Sequence, residues 1–327
     1  MGICISSASS EIQDSHDNVV YCEESITTSN AIQRLGSLCS EQGSKGSNQD
    51  AATLHQGYGM EGGAFCGVFD GHGMNGHIVS KLVRNRLPSL LRNQKNALSR
   101  LNNNERVEGE TAPKKNFCKW KEACINAFRV MDKEIKLLEN LDCSCSGTTA
   151  VVVIRQDEDI VIANLGDSRA VLGTIAEDGV KAVQLTIDLK PNLPAEADRI
   201  RKNNGRVIAL KEESHIQRVW LPHEDSPGLA MSRAFGDFLL KKHGIIAIPD
   251  VSYRRLTSKD QFLVLATDGV WDVLGNDEVV MIVSSAESEE AAARAVVYAA
   301  IAAWEEKFTS TKRDDCTAVC LFLQMKE

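Results

Sequence analysis

Short apolar runs bounded by turn-forming residues recur along most of the chain. Their content of Val, Ile, Leu and Phe is typical of β-strands. They predict strands over residues 63–69, 149–154, 160–165, 170–172, 181–185, 206–210, 217–221, 261–266 and 317–323. The charged residues 155–159 separate two of these runs, which predicts an antiparallel hairpin at that point.

Longer segments have apolar residues three and four positions apart, the spacing of an amphipathic helix. This spacing predicts helices over residues 75–91, 117–138, 276–283 and 288–308, and a short helix from Pro194 to about Asn204-Gly205. Residues 93–115 have consecutive Asn residues and mixed charge, which predicts a polar surface loop. Residues 1–32 are polar and lack periodicity, which predicts a flexible leader.

The order of the predicted elements indicates one domain of the α+β class over residues 33–325. Two long helices occupy the first third, most strands follow them, and two helices lie near the end. The longest apolar stretch, residues 291–304, contains Arg294 and is shorter than the roughly 20 residues that a membrane-spanning helix needs. We therefore expect no transmembrane segment.

Charge and cysteine usage narrow the class of protein. The chain has 37 Lys and Arg residues against 45 Asp and Glu, a formal net charge of −8. This excess of acid argues against nucleic-acid binding and against unaided binding to acidic lipid. The ten cysteines include no Cys-x-x-Cys pair, and no secretory signal peptide is recognisable, so we expect a reducing, intracellular setting.

Acidic residues next to glycine follow several of the predicted strands. The strands lead into Asp70-Gly71, Gly166-Asp167 and Asp268-Gly269, and Asp314-Asp315 precedes the last strand. A single Asp-Gly pair is usually only a turn. Several carboxylates brought together in one domain repel each other and need cations, and oxygen ligands with little histidine favour Mg²⁺ or Mn²⁺ over zinc.

Ordered motifs extend this pattern into a resemblance to a known family. They are Asp70-Gly71-His72-Gly73, Ser146-Gly147-Thr148-Thr149-Ala150, Gly166-Asp167-Ser168-Arg169, Ala230-Met231-Ser232-Arg233-Ala234-Phe235-Gly236-Asp237, Asp268-Gly269-Val270-Trp271-Asp272 and Asp314-Asp315. Over about residues 36–323 the chain resembles the metal-dependent protein phosphatases, the protein phosphatase 2C family of serine/threonine phosphatases. Asn48-Gln49-Asp50 and Asp314-Asp315-Cys316 resemble the plant branch.

The resemblance implies a fold and a metal centre. The fold is a four-layer α/β/β/α sandwich of two antiparallel sheets flanked by helix pairs, with two Mg²⁺ or Mn²⁺ ions at one end. Motif matching implies that Asp70 bridges the ions, that the Gly71 carbonyl and Asp50 serve the first, and that Asp268 and Asp314 hold the second. Asp167 and Asp272 match positions that support a weaker third ion in some members.

The resemblance also implies how phosphate monoesters are hydrolysed. Asp50, Asp70, Asp268 and Asp314 carry four negative charges, which two divalent ions balance, so that an anionic phosphate can enter. Water between two such ions has a lowered pKa and provides a hydroxide nucleophile. His72 is the candidate acid for the departing Ser or Thr oxygen, the alternative being a structural histidine.

Some positions depart from the family pattern. Lys45 stands where many members have the Arg that grips the substrate phosphate, and a lysine cannot make that bidentate contact. Gln49 replaces a Glu of some members, and Met74 replaces a Gly. Arg169 and Arg233 are expected to form structural ion pairs with neighbouring acids such as Asp167 and Asp237. By resemblance, residues 191–228 should lie beside the catalytic cleft.

Competing functions are weighed by the residues that they need. The chain lacks the Cys and Arg spacing of cysteine-based phosphatases, the Asp-x-Asp of the haloacid-dehalogenase type and a Gly-Asn-His-Glu box. The alternative from another class is a catalytically weak or inactive, membrane-tethered scaffold that binds phosphoproteins or a kinase. For the enzyme we expect a monomer with phosphoprotein substrates, protein kinases among its partners.

The N-terminus carries a lipidation pattern. Met1-Gly2-Ile3-Cys4-Ile5-Ser6 fits the myristoylation motif at Gly2, and Cys4 is placed for palmitoylation. A single myristoyl chain binds membranes only marginally, and the leader lacks a basic cluster, so the second acyl chain would be required. These residues predict a protein at the cytoplasmic face of the plasma membrane, with a cytosolic or nuclear pool.

Overall fold

The computed structural model describes residues 10–13, 18–23, 34–101, 112–211, 213–308 and 312–324. The strands are β1 (Ser10–Gln13), β2 (Val19–Glu23), β3 (Gly36–Glu41), β4 (Ala51–Gln56), β5 (Ala64–Phe69), β6 (Gly71–His72), β7 (Gly147–Thr148), β8 (Ala150–Gln156), β9 (Asp159–Leu165), β10 (Arg169–Ala176), β11 (Gly179–Gln184), β12 (Arg206–Ala209), β13 (Gln217–Trp220), β14 (Pro227–Leu229), β15 (Phe235–Gly236), β16 (Asp250–Arg255), β17 (Asp260–Ala266) and β18 (Cys316–Phe322). The helices are α1 (Gly76–Leu101), α2 (Ala112–Lys136), α3 (Pro194–Lys202), α4 (Asp268–Trp271), α5 (Asn276–Ser284) and α6 (Ala292–Lys307).

Two sheets form the centre of the molecule. The larger has the strand order β1-β2-β4-β5-β8-β9-β16, and the smaller has β11-β10-β17-β18-β3. Their facing sides enclose one hydrophobic core, while α1 and α2 cover the larger sheet and α5 and α6 cover the smaller. All neighbouring pairs within the two sheets are antiparallel except β2 with β4. The predicted α+β sandwich of four layers is confirmed.

Alternation along the strands explains why the layers form. In β17, Leu263 and Leu265 point into the core between the sheets, whereas Phe262, Val264 and Ala266 pack under α5 and α6. Successive side chains of a strand face opposite sides of the sheet, so a strand that is apolar throughout must be covered on both faces. The uninterrupted apolar run of this strand therefore specifies a position between two layers.

The predicted polar loop over residues 93–115 is wrong at both ends. Helix α1 continues to Leu101, and α2 already begins at Ala112. Asn and charged residues weaken a helix only modestly when they face solvent, and Pro113 lies in the first turn of α2, where a missing N–H is harmless. Polarity alone was therefore insufficient to predict a loop.

The predicted leader over residues 1–32 also differs from the structure. Strand β2 lies beside β4 in the larger sheet, and β1 pairs with β2. Val19, Tyr21 and Cys22 are buried, and the guanidinium of Arg34 lies 4.8 Å from the centre of the Tyr21 ring. A stretch of five residues is too short to show a period in a polar context, so the pattern concealed a strand of the sandwich.

A small subdomain occupies the region that was expected beside the cleft. Strands β12, β13 and β14 form their own antiparallel sheet, and α3 packs on it. Its separate core includes Ile200, Val219 and Leu240. No helix in the described ranges is both long and apolar enough to span a bilayer.

The strand β2 leads to a stability test. The Tyr21 side chain is 6% exposed, so Tyr21→Ala should lower the free energy of unfolding by about 3 kcal/mol, as large-to-small substitutions of buried aromatic residues do. Urea denaturation measures this change. Tyr298→Ala removes a tyrosine that is 54% exposed and should change stability by no more than about 0.5 kcal/mol. Equal effects of the two substitutions would place Tyr21 outside the folded domain.

Candidate active site

Sheet register brings acidic residues together at one end of the larger sheet. Ala51 of β4 pairs with Phe69 of β5, so Asp50 and Asp70 stand side by side just beyond the paired ends. The main chain of Asp70 is fixed across the sheet, because its N–H donates to Thr149 Oγ1 at 3.0 Å and its carbonyl accepts from Thr149 N–H at 2.9 Å. Rigid strands therefore deliver both carboxyl groups.

The smaller sheet contributes a second set at the same end. Arg169 of β10 pairs with Ala266 of β17, which places Asp167 and Asp268 just outside the pairing. Asp314 lies two residues before β18, the other neighbour of β17. We call Asp50, Asp70, Asp167, Asp268, Asp272 and Asp314 the carboxylate cluster. The structure thus brings together all the predicted side-chain ligands.

The two Asp-Gly pairs at these strand ends are contact points between chain segments. A Cβ atom on Gly71 would lie 2.5 Å from the Gln49 carbonyl oxygen, next to Asp50. A Cβ atom on Gly269 would lie 1.9 Å from the Asp315 carbonyl oxygen, next to Asp314. Any side chain would push these segments apart. The glycines are therefore needed for the approach of the acidic segments and are more than turn residues.

Burial and mutual repulsion shift the acidity of the cluster. Burial, and then the charges of neighbouring aspartates, raise the pKa of Asp70 and of Asp268 well above the usual range. Burial raises the pKa of Asp167 and Asp272 as well. Such groups lose charge unless cations balance them.

Asp50 occupies the most enclosed position. Burial, followed by the charge of Asp315, raises its pKa to about 8, although Thr267 Oγ1 donates to Asp50 Oδ2 at 2.8 Å. Asp315 holds the loop in front of Asp50: its carboxylate accepts from Gly43 N–H at 2.7 Å and from Gln49 N–H at 2.8 Å. Neither Asp315 nor Thr267 was predicted to have a role. Asp314 and Asp315 are adjacent residues of the same type, so the sequence does not show which of them borders the cluster and which holds a loop.

Two lysines border the carboxylate cluster. Lys45 contacts Asp314 directly, and this charge raises the lysine pKa against the lowering effect of burial. Lys190 Nζ lies 3.9 Å from Asp167 Oδ2, and its pKa is likewise raised by Asp167 against burial. Lys45 thus lies at the cluster, and Lys190 is an additional cation that the motif matching missed. Lys190 follows β11 and belongs to none of the ordered motifs, so the sequence held no signal for it.

The donor set fits hard divalent cations. In the described part of the chain, no three His, Cys, Asp or Glu side chains surround one point as a finished ligand set. Mg²⁺ nevertheless uses few protein carboxylates and keeps several waters, so such a set is not required. Asp167 Oδ1 is buried and has no hydrogen-bond partner among the residues that the structure describes, as expected of an oxygen reserved for a ligand. Oxygen donors and unbalanced negative charge therefore both suit Mg²⁺ or Mn²⁺.

His72 lies beside the carboxylate cluster in a small sheet of β6, β7 and β15. Its Nε2 is 2.7 Å from Asp237 Oδ2, and its buried Nδ1 has no partner among the described residues. Burial lowers the pKa of His72, but the charge and hydrogen bond of Asp237 outweigh this effect and raise it. A histidine that keeps its proton suits an acid.

The predicted partners of two arginines need correction. Arg169 pairs with Asp188 at 2.6 Å, and Arg233 pairs with the buried Glu196 at 2.6 Å. Both arginines form structural ion pairs, as predicted, but neither pairs with Asp167 or Asp237. The true partners lie on other segments of the chain, since Asp188 follows β11 and Glu196 belongs to α3. Gly2 and Cys4, the predicted lipidation residues, lie outside the described residues.

The chain is similar to known proteins over most of its length. The family model described as Protein phosphatase 2C matches residues 35–307. Probable protein phosphatase 2C 72 of Arabidopsis thaliana is 56% identical, covering 100% of this chain and 99% of the relative. Probable protein phosphatase 2C 12 of Oryza sativa subsp. japonica is 46% identical, covering 99% and 92%. Serine-threonine phosphatase 2C from Toxoplasma gondii aligns with a TM-score of 0.78 at 27% identity, over 88% of this chain and 94% of that structure.

The family assignment follows from matches over nearly the whole length of the chain. The resemblance seen in the motifs is confirmed, and the comparisons offer no support for an inactive scaffold. Members of this family depend on Mg²⁺ or Mn²⁺, in agreement with the oxygen donors of the carboxylate cluster. The chain belongs to the protein phosphatase 2C family and is a protein serine/threonine phosphatase.

Proposed function

We propose that the enzyme hydrolyses phosphoserine and phosphothreonine in proteins at the carboxylate cluster with two bound Mg²⁺ or Mn²⁺ ions. The observation that carries this proposal is the group of aspartates at the strand ends, whose pKa values are raised first by burial and then by the charges of neighbouring acids. When bound, such ions lower the pKa of a shared water and thereby supply the nucleophile. We expect a monomer that acts on phosphoproteins, with protein kinases among its partners.

Each predicted ligand has a place in this proposal. Asp70 would contact both ions, Asp50 and the Gly71 carbonyl would serve the first, and Asp268 and Asp314 the second. Asp167 and Asp272 lie at the Lys190 side of the cluster and would hold a weaker third ion. The fit rests on oxygen donors from two rigid sheets, because strand ends keep such groups in place as a substrate arrives.

The side chains next to the cluster bind the substrate and move its proton. Lys45 is half exposed at the cluster, so its ammonium group can attract the phosphate that approaches Asp314. His72 holds a proton at the edge of the same site and would give it to the departing Ser or Thr oxygen. A lysine offers a point charge in place of a bidentate grip, so we expect modest affinity for the phosphate itself.

Removal of metal or of a bridging ligand should abolish turnover. Phosphate release from a phosphothreonine peptide should require added Mn²⁺ or Mg²⁺ and stop in excess chelator, because the unbalanced carboxylates repel the substrate. Asp70→Asn should lower kcat by at least about 100-fold, since loss of a metal ligand removes both an ion and the charge that holds it. Malachite-green detection of phosphate measures both effects.

The matched control is Asp178→Asn, which removes a carboxylate that is exposed and far from the cluster in the fold. This variant should retain wild-type turnover and metal dependence. Full activity of the wild type in excess chelator would contradict the metal-dependent reaction. Wild-type turnover of Asp70→Asn would contradict the assignment of this ligand alone.

The role of His72 predicts a dependence on the leaving group. His72→Ala should slow a phosphothreonine peptide by about 10²–10⁴-fold, the usual contribution of a general acid, while p-nitrophenyl phosphate should lose far less. A phenolate leaves without protonation, whereas an alkoxide needs an acid. Steady-state kcat on both substrates measures the difference, and equal losses would assign His72 to a structural role.

We further propose that two acyl chains, on Gly2 and Cys4, hold the enzyme at the cytoplasmic face of the plasma membrane, with a cytosolic or nuclear pool. One support is the acylation motif at residues 1–6. The other is the lack of a basic cluster in residues 1–32: without it, a second acyl chain would be needed to strengthen the weak binding of a single myristoyl chain. This proposal is independent of the catalytic one.

Substitution of the acylated residues should change the distribution of the protein in cells. Gly2→Ala should move it entirely to the soluble fraction, because both lipids depend on the first acylation. Cys4→Ser should leave it divided between membrane and soluble fractions, since one myristoyl chain binds with an association constant of only about 10⁴ M⁻¹. Fractionation and metabolic labelling with a myristate analogue measure this, with Ser9→Ala as the control variant, which lies beyond the motif and retains both acceptors. Membrane association of Gly2→Ala at the wild-type level would contradict the anchor.

A further inference from the structure

The pair His72 and Asp237 is assembled across a glycine in the middle of a small sheet. In that sheet β7 is the central strand, and Gly147 is paired with His72 of β6 on one side and with Gly236 of β15 on the other. The side chain of His72 and that of Asp237, the next residue after Gly236, therefore meet above a position without a side chain. Their contact of 2.7 Å joins residues that are 165 positions apart.

The lack of a side chain at Gly147 is necessary for this contact. A Cβ atom there would lie 2.5 Å from Asp237 Oδ2 and 2.9 Å from His72 Nε2, too close to both atoms of the hydrogen bond. A methyl group would have to separate the carboxylate from the imidazole. The glycine of the Ser146-Gly147-Thr148 motif therefore admits the pair, and it also leaves room for the Phe235 carbonyl oxygen of β15, which would lie 2.2 Å from the same Cβ atom.

The backbone of Asp237 is held in a conformation that non-glycine residues rarely adopt. Its φ is 51°, and it follows Gly236 with a φ of 75°. The Asp237 N–H donates to the Ser146 carbonyl at 3.0 Å, which ties it to the strand under His72. Such strain persists only where surrounding structure enforces it, and it is concentrated at functional sites. Here the strained turn aims the carboxylate at the histidine.

Asp132 and Lys241 make a second set of contacts that hold the turn at Gly236 and Asp237 in place. Asp132 of α2 accepts from Gly236 N–H at 3.0 Å and pairs with Lys241 at 3.1 Å. Lys241 Nζ also donates to the Ala234 carbonyl at 2.7 Å. Asp237 itself is almost fully buried, at 1% exposure, whereas the His72 side chain is 19% exposed. The carboxylate is therefore fixed inside the protein, and the imidazole is the member of the pair nearer to solvent.

We propose that Asp237 is a positioning residue of the phosphatase reaction, which fixes the orientation of the His72 ring at the edge of the carboxylate cluster through its contact with Nε2. This rests on the proposed role of His72 as the acid. As the bond from phosphorus to the Ser or Thr oxygen breaks, its electron pair stays on that oxygen. The oxygen takes the proton that His72 gives up, and the imidazole stays in contact with Asp237 through Nε2.

A double-mutant cycle tests this assignment with a phosphothreonine peptide and p-nitrophenyl phosphate, both in Mn²⁺. Asp237→Ala should lower kcat on the peptide by about 10²-fold or more, approaching the loss in His72→Ala, and should lower kcat on the aryl phosphate far less. In the His72→Ala background, Asp237→Ala should cause no further loss on the peptide. Residues that act as one unit give such non-additive effects.

A buried carboxylate elsewhere provides the control for general damage. Asp260 is fully buried and binds Thr257 and Arg254, away from the cluster. Asp260→Ala should lower the melting temperature without changing the ratio of the two substrate rates. If Asp237→Ala does not fold, Asp237→Asn keeps the size of the side chain, and it should show the same substrate selectivity and non-additivity.

The outcomes separate this proposal from the one on which it rests. Equal losses on both substrates in Asp237→Ala, or a further loss on the peptide in the double variant, would overturn the positioning role while His72→Ala still identifies the acid. If His72→Ala itself shows no selectivity between the substrates, both assignments fail. Selective loss in each single variant, with no further loss in the double variant, supports both.

Discussion

Repulsion among buried carboxylates is the constraint around which this structure is organised. Asp50 is fully buried and Asp70 and Asp268 are partly buried at the same end of the sheets, and burial together with the charges of neighbouring acids raises the pKa of all three. Flexible loops would let such groups move apart. Placing them at the ends of strands from two packed sheets prevents this, because the core between the sheets would have to open before the acids could separate. The two packed sheets therefore hold the carboxylates in place, and bound cations would balance their charge.

Close packing at two glycines, Gly269 and Gly71, further fixes the segments that carry the carboxylate cluster. Gly269 packs against the Asp315 carbonyl, and its own carbonyl accepts from the Trp304 indole N–H at 2.6 Å. Helix α6 thus contacts α4, the short helix that begins with Asp268. On the other sheet, Gly71 packs against the Gln49 carbonyl, and Ser80 Oγ of α1 donates to that same carbonyl at 2.6 Å. Each outer helix layer is in this way connected to one half of the carboxylate cluster.

Features that depend on neighbouring residues could be predicted from the sequence, whereas contacts between residues far apart along the chain could not. Asp70 and Asp268 could be predicted because each directly follows a buried strand and precedes a glycine, so the signal is local. Strand β2 and the ends of α1 and α2 could not, since short or solvent-facing elements have no clear period. The sequence also did not predict that Arg233 pairs with Glu196 or that His72 pairs with Asp237. These pairs join residues 37 and 165 positions apart, and only the fold decides which charges meet.

Residues 232–237 connect the small subdomain to the reaction centre. Arg233 and Arg199 bind Glu196 so strongly that, despite burial, its pKa falls to about 2, which fixes α3 to this segment. Ser232 Oγ donates at 2.7 Å to the Leu189 carbonyl, next to Lys190 at the Asp167 side of the cluster. Five residues after Ser232, Asp237 holds His72. One extended segment therefore sets the position of the subdomain, of a cation at the cluster and of the histidine.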